Sequence, residues 1–191
     1  MKTNRMVKLG VPSGCGLALT CLVASLLFLV PTARAEVVSV STAPADTTVD
    51  LGSTFVLRIT VSSIYDLKAF QVLSAYDPAI LELQRIDPGE VLTATGHAFF
   101  GQALSDYVAP ADTAWYDAAV LEGTTSGPGV LVYLTFKAVG VGTSPVPFRW
   151  ADLRDAGNHR ISPACEGGVL HVQQPVPART STWGRLKALY R

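Results

Sequence analysis

Apolar side chains fall on every second position between Phe55 and Val61, where Phe55, Leu57, Ile59 and Val61 share one face and Arg58 and Thr60 take the other. That period of two is the signature of a strand with one buried face. "VVSV" (Val37 to Val40), "LVYLTFKAV" (Leu131 to Val139) and "GGVLHV" (Gly167 to Val172) are also short and rich in β-branched or aromatic residues. Turn chemistry separates such runs: Asp50-Leu51-Gly52, Asp77-Pro78, Asp87-Pro88-Gly89, Ser126-Gly127-Pro128-Gly129, Gly140-Val141-Gly142 and Asp155-Ala156-Gly157-Asn158. The pattern predicts about nine strands and no helix in the body of the chain. Short strands closed by Gly and Pro turns, in a chain of this size, mean an all-β sandwich or jelly roll.

The segment "LSAYDPAILEL" (Leu73 to Leu83) fixes a parity. Phe70, Val72, Ser74 and Tyr76 point to the core. Asp77 can bond back to its own turn backbone, Pro78 stops the ladder, and Ile80, Leu81 and Leu83 start the return strand. Ala69, Gln71, Leu73 and Ala75 then face outward, forming a small, flat and nearly uncharged row. Such a row suits contact with another protein, because charge is depleted at the centre of binding patches. Cover by an adjacent loop is the competing reading.

The start of the chain is of another kind. Lys2, Arg5 and Lys8 precede the 14-residue apolar run "LALTCLVASLLFLV", and Ala33-Arg34-Ala35 forms a cleavage site. This predicts a secretory signal peptide over residues 1–35, since the run is shorter than the roughly 20 residues that cross a bilayer. The expected product is secreted, extracellular or held at the cell surface. Residues 36–173 form one expected domain, and 174–191 a linker with a basic-aromatic tail. In that tail Trp183, Leu186, Leu189 and Tyr190 lie beside Arg185, Lys187 and Arg191, a composition suited to a sorting receptor, a partner or an anionic surface. Up to Gln174 the processed body carries seven Lys and Arg against 15 Asp and Glu, a net charge of −8. So acidic a body excludes nucleic acid as a partner. Past residue 35 Cys165 stands alone, so no internal disulfide is expected, and the thiol reads as a small buried hydrophobe.

Catalytic parts are missing from the pattern. His97, His159 and His171 are scattered with no ligand spacing, which argues against zinc. There is no nucleophile elbow and no phosphate-binding Lys after "TSGPGV". Asp106, Asp112, Asp117 and Glu122 read as solvated loop acids rather than a glycosidase pair, and no calcium loop spacing is present. No cofactor or metal is expected, and the chain reads as non-catalytic.

Four segments in order carry a family likeness: "VDLGSTFVLRITV", "DLKAFQVLSAYDPAILELQRIDPGEVL", "GPGVLVYLTFKAVGVGTSPVPF" and "ADLRDAGNHRISPACEGGVLHV". Together they resemble the bacterial cohesin domain of cellulosomal scaffoldins, over roughly Val37 to Val172. The resemblance implies a nine-stranded jelly-roll sandwich, related in fold to carbohydrate-binding modules, that grips a dockerin module through one sheet face. Dockerins of this family bring their own calcium. The mapping puts the strand from Ala69 to Tyr76 on that face, with Ala69 and Gln71 where members often carry Asn and Asp. The candidate contact residues are Ala69, Gln71, Leu73, Ala75 and Tyr116. Two other readings compete. One is a carbohydrate-binding module that meets polysaccharide through exposed aromatics, with Tyr65, Phe99, Phe100, Tyr107, Trp115, Tyr116 and Trp150 as candidates. The other is a structural spacer in a surface assembly.

Overall fold

The computed structural model describes residues 37–103 and 111–176. The expected signal peptide, Asp106, Tyr107 and the tail from 177 onward lie outside the described residues. Those described form an all-β structure, with twelve strands and one short helix.

Two short strands come first, β1 (Ser39–Ala43) and β2 (Asp46–Asp50). Then comes β3 (Thr54–Ala75), a single strand of 22 residues where alternation had indicated two separate runs. The link between those runs, Ser62 to Lys68, contains neither Gly nor Pro, so nothing forces a break. Register shifts after Val61 and Ile64, with Asp66 at φ +60°, bend the strand instead of ending it. The backbone N–H of Asp66 donates to Ser126 Oγ at 3.0 Å. The turn at Asp77 forms as expected: Ala79 N–H donates to Asp77 Oδ1 at 2.9 Å, and Leu81 N–H to the Asp77 carbonyl at 2.9 Å.

After β4 (Leu81–Pro88) stands a helix that the periodicity did not predict, α1 (Glu90–Thr93). It has one turn, too short for a 3.6-residue pattern to show. Val91 and Leu92 are buried, and Thr125 Oγ1 donates to the Val91 carbonyl at 2.7 Å. Gly89 opens the helix because a Cβ there would lie inside the Val130 carbonyl.

The remaining strands are β5 (Phe99–Ala103), β6 (Thr113–Val120), β7 (Thr125–Ala138), β8 (Gly142–Val146), β9 (Phe148–Asp155), β10 (Arg160–Ile161), β11 (Ala164–Glu166) and β12 (Gly168–Gln173). The Ser126-Gly127-Pro128-Gly129 turn signal lies within β7, where Gly127 takes φ +122° opposite the irregular part of β3.

The long strand organises the sandwich. Its first half pairs with β1 on one side and β7 on the other, and β7 continues to β4. Its second half pairs with β6 and β9, and these continue to β5 and β10. A further sheet runs β2-β12-β8. Inward residues from both halves build one core, with Leu57, Ile59, Phe70, Val72, Leu134, Phe136, Leu153 and Leu170 among its members. Phe136 is fully buried and meets Tyr76 edge-on, with ring centroids 5.1 Å apart. Burying each such side chain contributes on the order of 1.5–3 kcal/mol. Cys165 departs from expectation: its thiol is exposed, because β11 is a three-residue strand with no buried position.

Candidate interaction face

The outer side of β9-β3-β6-β5 is built from register. On β3, Phe70, Val72 and Ser74 are buried, while Ala69, Gln71, Leu73 and Ala75 are half-exposed on the other face, the parity that alternation predicted. Leu73 stands opposite Trp115 on β6 and Trp150 on β9. Gln71 stands opposite Asp117 and Asp152, and Asp117 in turn faces Gln102 on β5. Ala69 stands opposite Ala119 and Arg154, and Ala119 faces Phe100. The face therefore carries an indole-leucine-indole row, a carboxylate-amide row, and a row of small residues between a guanidinium and a phenyl ring. Trp150 is 45% exposed and Phe100 55%.

Both indoles are held in place. Trp115 Nε1 donates to Asp117 Oδ1 at 2.7 Å, and the Arg160 guanidinium lies 4.8 Å from the Trp150 ring centre. Asp152 is neutralised twice. Arg154 donates through Nε and Nη2 to its Oδ2 at 2.9 and 2.8 Å, and Arg160 Nε lies 3.0 Å from its Oδ1, outside hydrogen-bond alignment. Asp117 forms no ion pair among the described residues, although Arg154 lines the same depression. A depression of about 280 Å³ on this face is lined by Ala69, Gln71, Phe100, Asp117, Asp152 and Arg154.

Two corrections follow. Tyr116 is no surface residue: it is 4% exposed and opposes Val72 on the core side, packed against Phe70. Burial, with the Asp87 charge adding to it, pushes its phenol above the usual tyrosine value. The alternation of "TAWYDAAV" carries this parity, since Ala114, Tyr116 and Ala118 are buried together and Trp115 and Asp117 face out. Bland chemistry is also confined to β3 itself. Its neighbours bring Asp117, Asp152, Arg154 and two tryptophans, residues that reading one strand at a time did not assign to this face.

Other candidates do not assemble. His159 pairs with Asp155 at 3.1 Å, and His171 contacts Thr143 at 2.8 Å and Asp46 at 3.5 Å. No group of His, Cys, Asp and Glu able to hold a metal occurs among the described residues. Asp112 is tied to Thr113 and Arg149; burial raises its carboxyl, but those hydrogen bonds outweigh this and hold it below the usual value. Tyr65 is 79% exposed where β3 bends, away from the Trp115 and Trp150 row, so the aromatic candidates form no single strip. A wider groove of about 600 Å³ crosses β3, β7 and β4 over Tyr133 and Thr135. Its charges are balanced: Arg85 pairs with Asp87 at 2.6 Å, and the Tyr133 hydroxyl donates to Glu90 near Arg58. No helix among the described residues is long and apolar enough to cross a membrane.

Several solved structures of similar fold are cohesins. The seventh type I cohesin of ScaB from Pseudobacteroides cellulosolvens superposes with a TM-score of 0.61 at 14% identity, covering 76% of this chain and 97% of that one. A type I cohesin from a cohesin–dockerin complex of Clostridium thermocellum gives 0.60 at 10%, over 72% and 100%. A non-cellulosomal cohesin from the archaeon Archaeoglobus fulgidus gives 0.58 at 14%, over 72% and 91%. No curated protein matches the chain in sequence. The family model for the cohesin domain matches residues 40–164, well over half of the sequence, and the chain belongs to the cohesin domain family.

Proposed function

We propose that this chain is an exported, non-catalytic binding module that holds a dockerin-type protein on the outer face of β9-β3-β6-β5, within an extracellular assembly for polysaccharide breakdown or surface construction. The observation that carries the reading is the Trp150-Leu73-Trp115 row, an apolar centre of two fixed indoles across three adjacent strands. Aromatic anchors surrounded by polar neighbours are the usual composition of binding hot spots. Support also comes from the cohesin–dockerin complex among the structures of the same fold. Ala69, Gln71, Leu73 and Ala75 are the β3 residues assigned to the contact, and Tyr116 serves it from beneath by supporting the strand. The test is calorimetric titration with calcium-loaded dockerin modules. Binding that disappears in Leu73→Arg is the expected result, and absence of heat with every module tried overturns the reading.

Direct recognition of polysaccharide is the second reading, favoured by Trp115 and Trp150 sharing one face. It is the weaker of the two, because Leu73 stands between the indoles and Tyr116 is inside. Retardation of the protein in polysaccharide-containing gels would decide for it.

A further inference from the structure

We propose that the groove over Tyr133 and Thr135 is a second binding site, one that takes a neutral pyranose unit of a polysaccharide chain. It lies on the outer side of β4-β7-β3, in the other half of the sandwich from the Trp115 and Trp150 row, and it stands independently of the partner reading. Two irregularities build it. A register shift on β4 between Leu83 and Arg85 reverses the parity of that strand, so that Ile86 packs on the core while Arg85 and Asp87 stand opposite Thr135 and Tyr133. On the other side, a shift between Ile59 and Thr60 accommodates the consecutive buried pair Leu131 and Val132, and Tyr133 and Thr135 then stand beside Arg58 and Val56. Bulges re-aim side chains in this way next to active sites. Two rows result, Arg58-Tyr133-Asp87 and Val56-Thr135-Arg85, along a groove of about 600 Å³, a volume within the range of small-ligand sites.

The chemistry of the lining selects the ligand. The Tyr133 ring is anchored at its tip, where the hydroxyl donates to Glu90. Arg85 holds one oxygen of Asp87 through its Nε, which leaves the other oxygen and the Arg85 amino groups uncommitted. Arg58 lies near the Glu90 charge, but neither it nor Thr135 makes a side-chain hydrogen bond or ion pair among the described residues. The groove therefore offers donors and acceptors together. An anion only accepts and would face Asp87; a cation only donates and would face Arg58 and Arg85. A sugar hydroxyl does both, adjacent hydroxyls match the two-pronged ends of guanidinium and carboxylate, and the less polar face of a pyranose packs on an aromatic ring. The net charge of −8 on the body adds to the exclusion of anionic chains.

The test is electrophoresis of the full chain in native gels containing xyloglucan, galactomannan or arabinoxylan, with polygalacturonate gels alongside. At least one neutral polymer is expected to retard it. Retardation alone is shared with sugar binding on the indole row, so variants assign the face. Tyr133→Ala should abolish the retardation, and Arg58→Gln should weaken the apparent affinity about tenfold. The Arg58 side chain is exposed, so Arg58→Gln should unfold at the parent temperature and decides the matter even if Tyr133→Ala fails to fold. Leu73→Arg, which alters the other face, should be retarded like the parent. Retardation that survives in Arg58→Gln at full strength, or that is lost in Leu73→Arg, overturns the inference. So does retardation by polygalacturonate alone, or by no polymer. None of these results touches dockerin capture, and the partner reading falls only by its own titration.

Discussion

Tyr116 rests its ring against Phe70, with centroids 6.1 Å apart, on the inner side of the same strands whose outer side carries Trp115. Its hydroxyl end sits under Gly101, a position where any Cβ would collide with it. Tyr116→Ala is therefore expected to destabilise by about 3–5 kcal/mol. Urea unfolding checks this; a loss below 1 kcal/mol would return Tyr116 to the surface.

Leu73→Arg makes the opposite case. Leu73 is half-exposed between two indoles, so the charge can reach water in the free protein and is stranded only when the face is covered. Thermal unfolding should move by no more than a few degrees while dockerin capture is abolished. A large drop in the melting temperature would place this side chain in the core.

Ser74 is fully buried, and its Oγ has no hydrogen-bond partner among the described residues. Removing a buried, unpaired hydroxyl without opening a cavity favours the folded state, so Ser74→Ala should raise stability by about 1 kcal/mol. The denaturation midpoint measures it, and a fall would reveal a partner for that oxygen.

Gly89→Ala tests the entry to α1. The added Cβ would meet the Val130 carbonyl, which β7 holds in place. A cost of about 2–3 kcal/mol is expected from the overpacking, read as a lower denaturation midpoint with an unchanged slope.

Stability should fall at both ends of the pH scale. The hydrogen bond from the Tyr133 hydroxyl holds Glu90 low, backbone and ring contacts of His159 hold Asp155 low, and Thr113 and Arg149 hold Asp112 low against its burial. Groups depressed on folding stabilise above their unfolded values, near 4, and that contribution is lost as pH falls through the folded ones. Tyr116, raised by burial, and Tyr133, raised by its hydrogen bond to Glu90, act in the other direction. Their contribution is full below about pH 10 and is lost as pH rises through the higher folded values. Denaturation midpoints across pH give the profile, and Tyr133→Phe should flatten the alkaline limb.

The strands that alternate cleanly were legible because one face meets the core and the other meets water. "TFVLRITV" and "AFQVLSAY" each gave the right parity, and through it the outward row of Ala69, Gln71, Leu73 and Ala75. Continuity between them was hidden. Ser62-Ser63 and Tyr65-Asp66 have turn chemistry, yet bulges absorb the irregularity while pairing with β7 persists. Half of the candidate face was hidden for another reason. Trp115 and Trp150 are 42 and 77 residues from Leu73 in sequence, and strand order, which local pattern does not encode, sets them on either side of it.

One polypeptide segment, β3, runs through both halves of the sandwich without interruption. A tug applied to the second half passes along covalent backbone into the first half, through the bulged stretch between Val61 and Leu67. The two halves should consequently melt as one unit, giving a single calorimetric transition, and tension on the docked face is shared by the whole body.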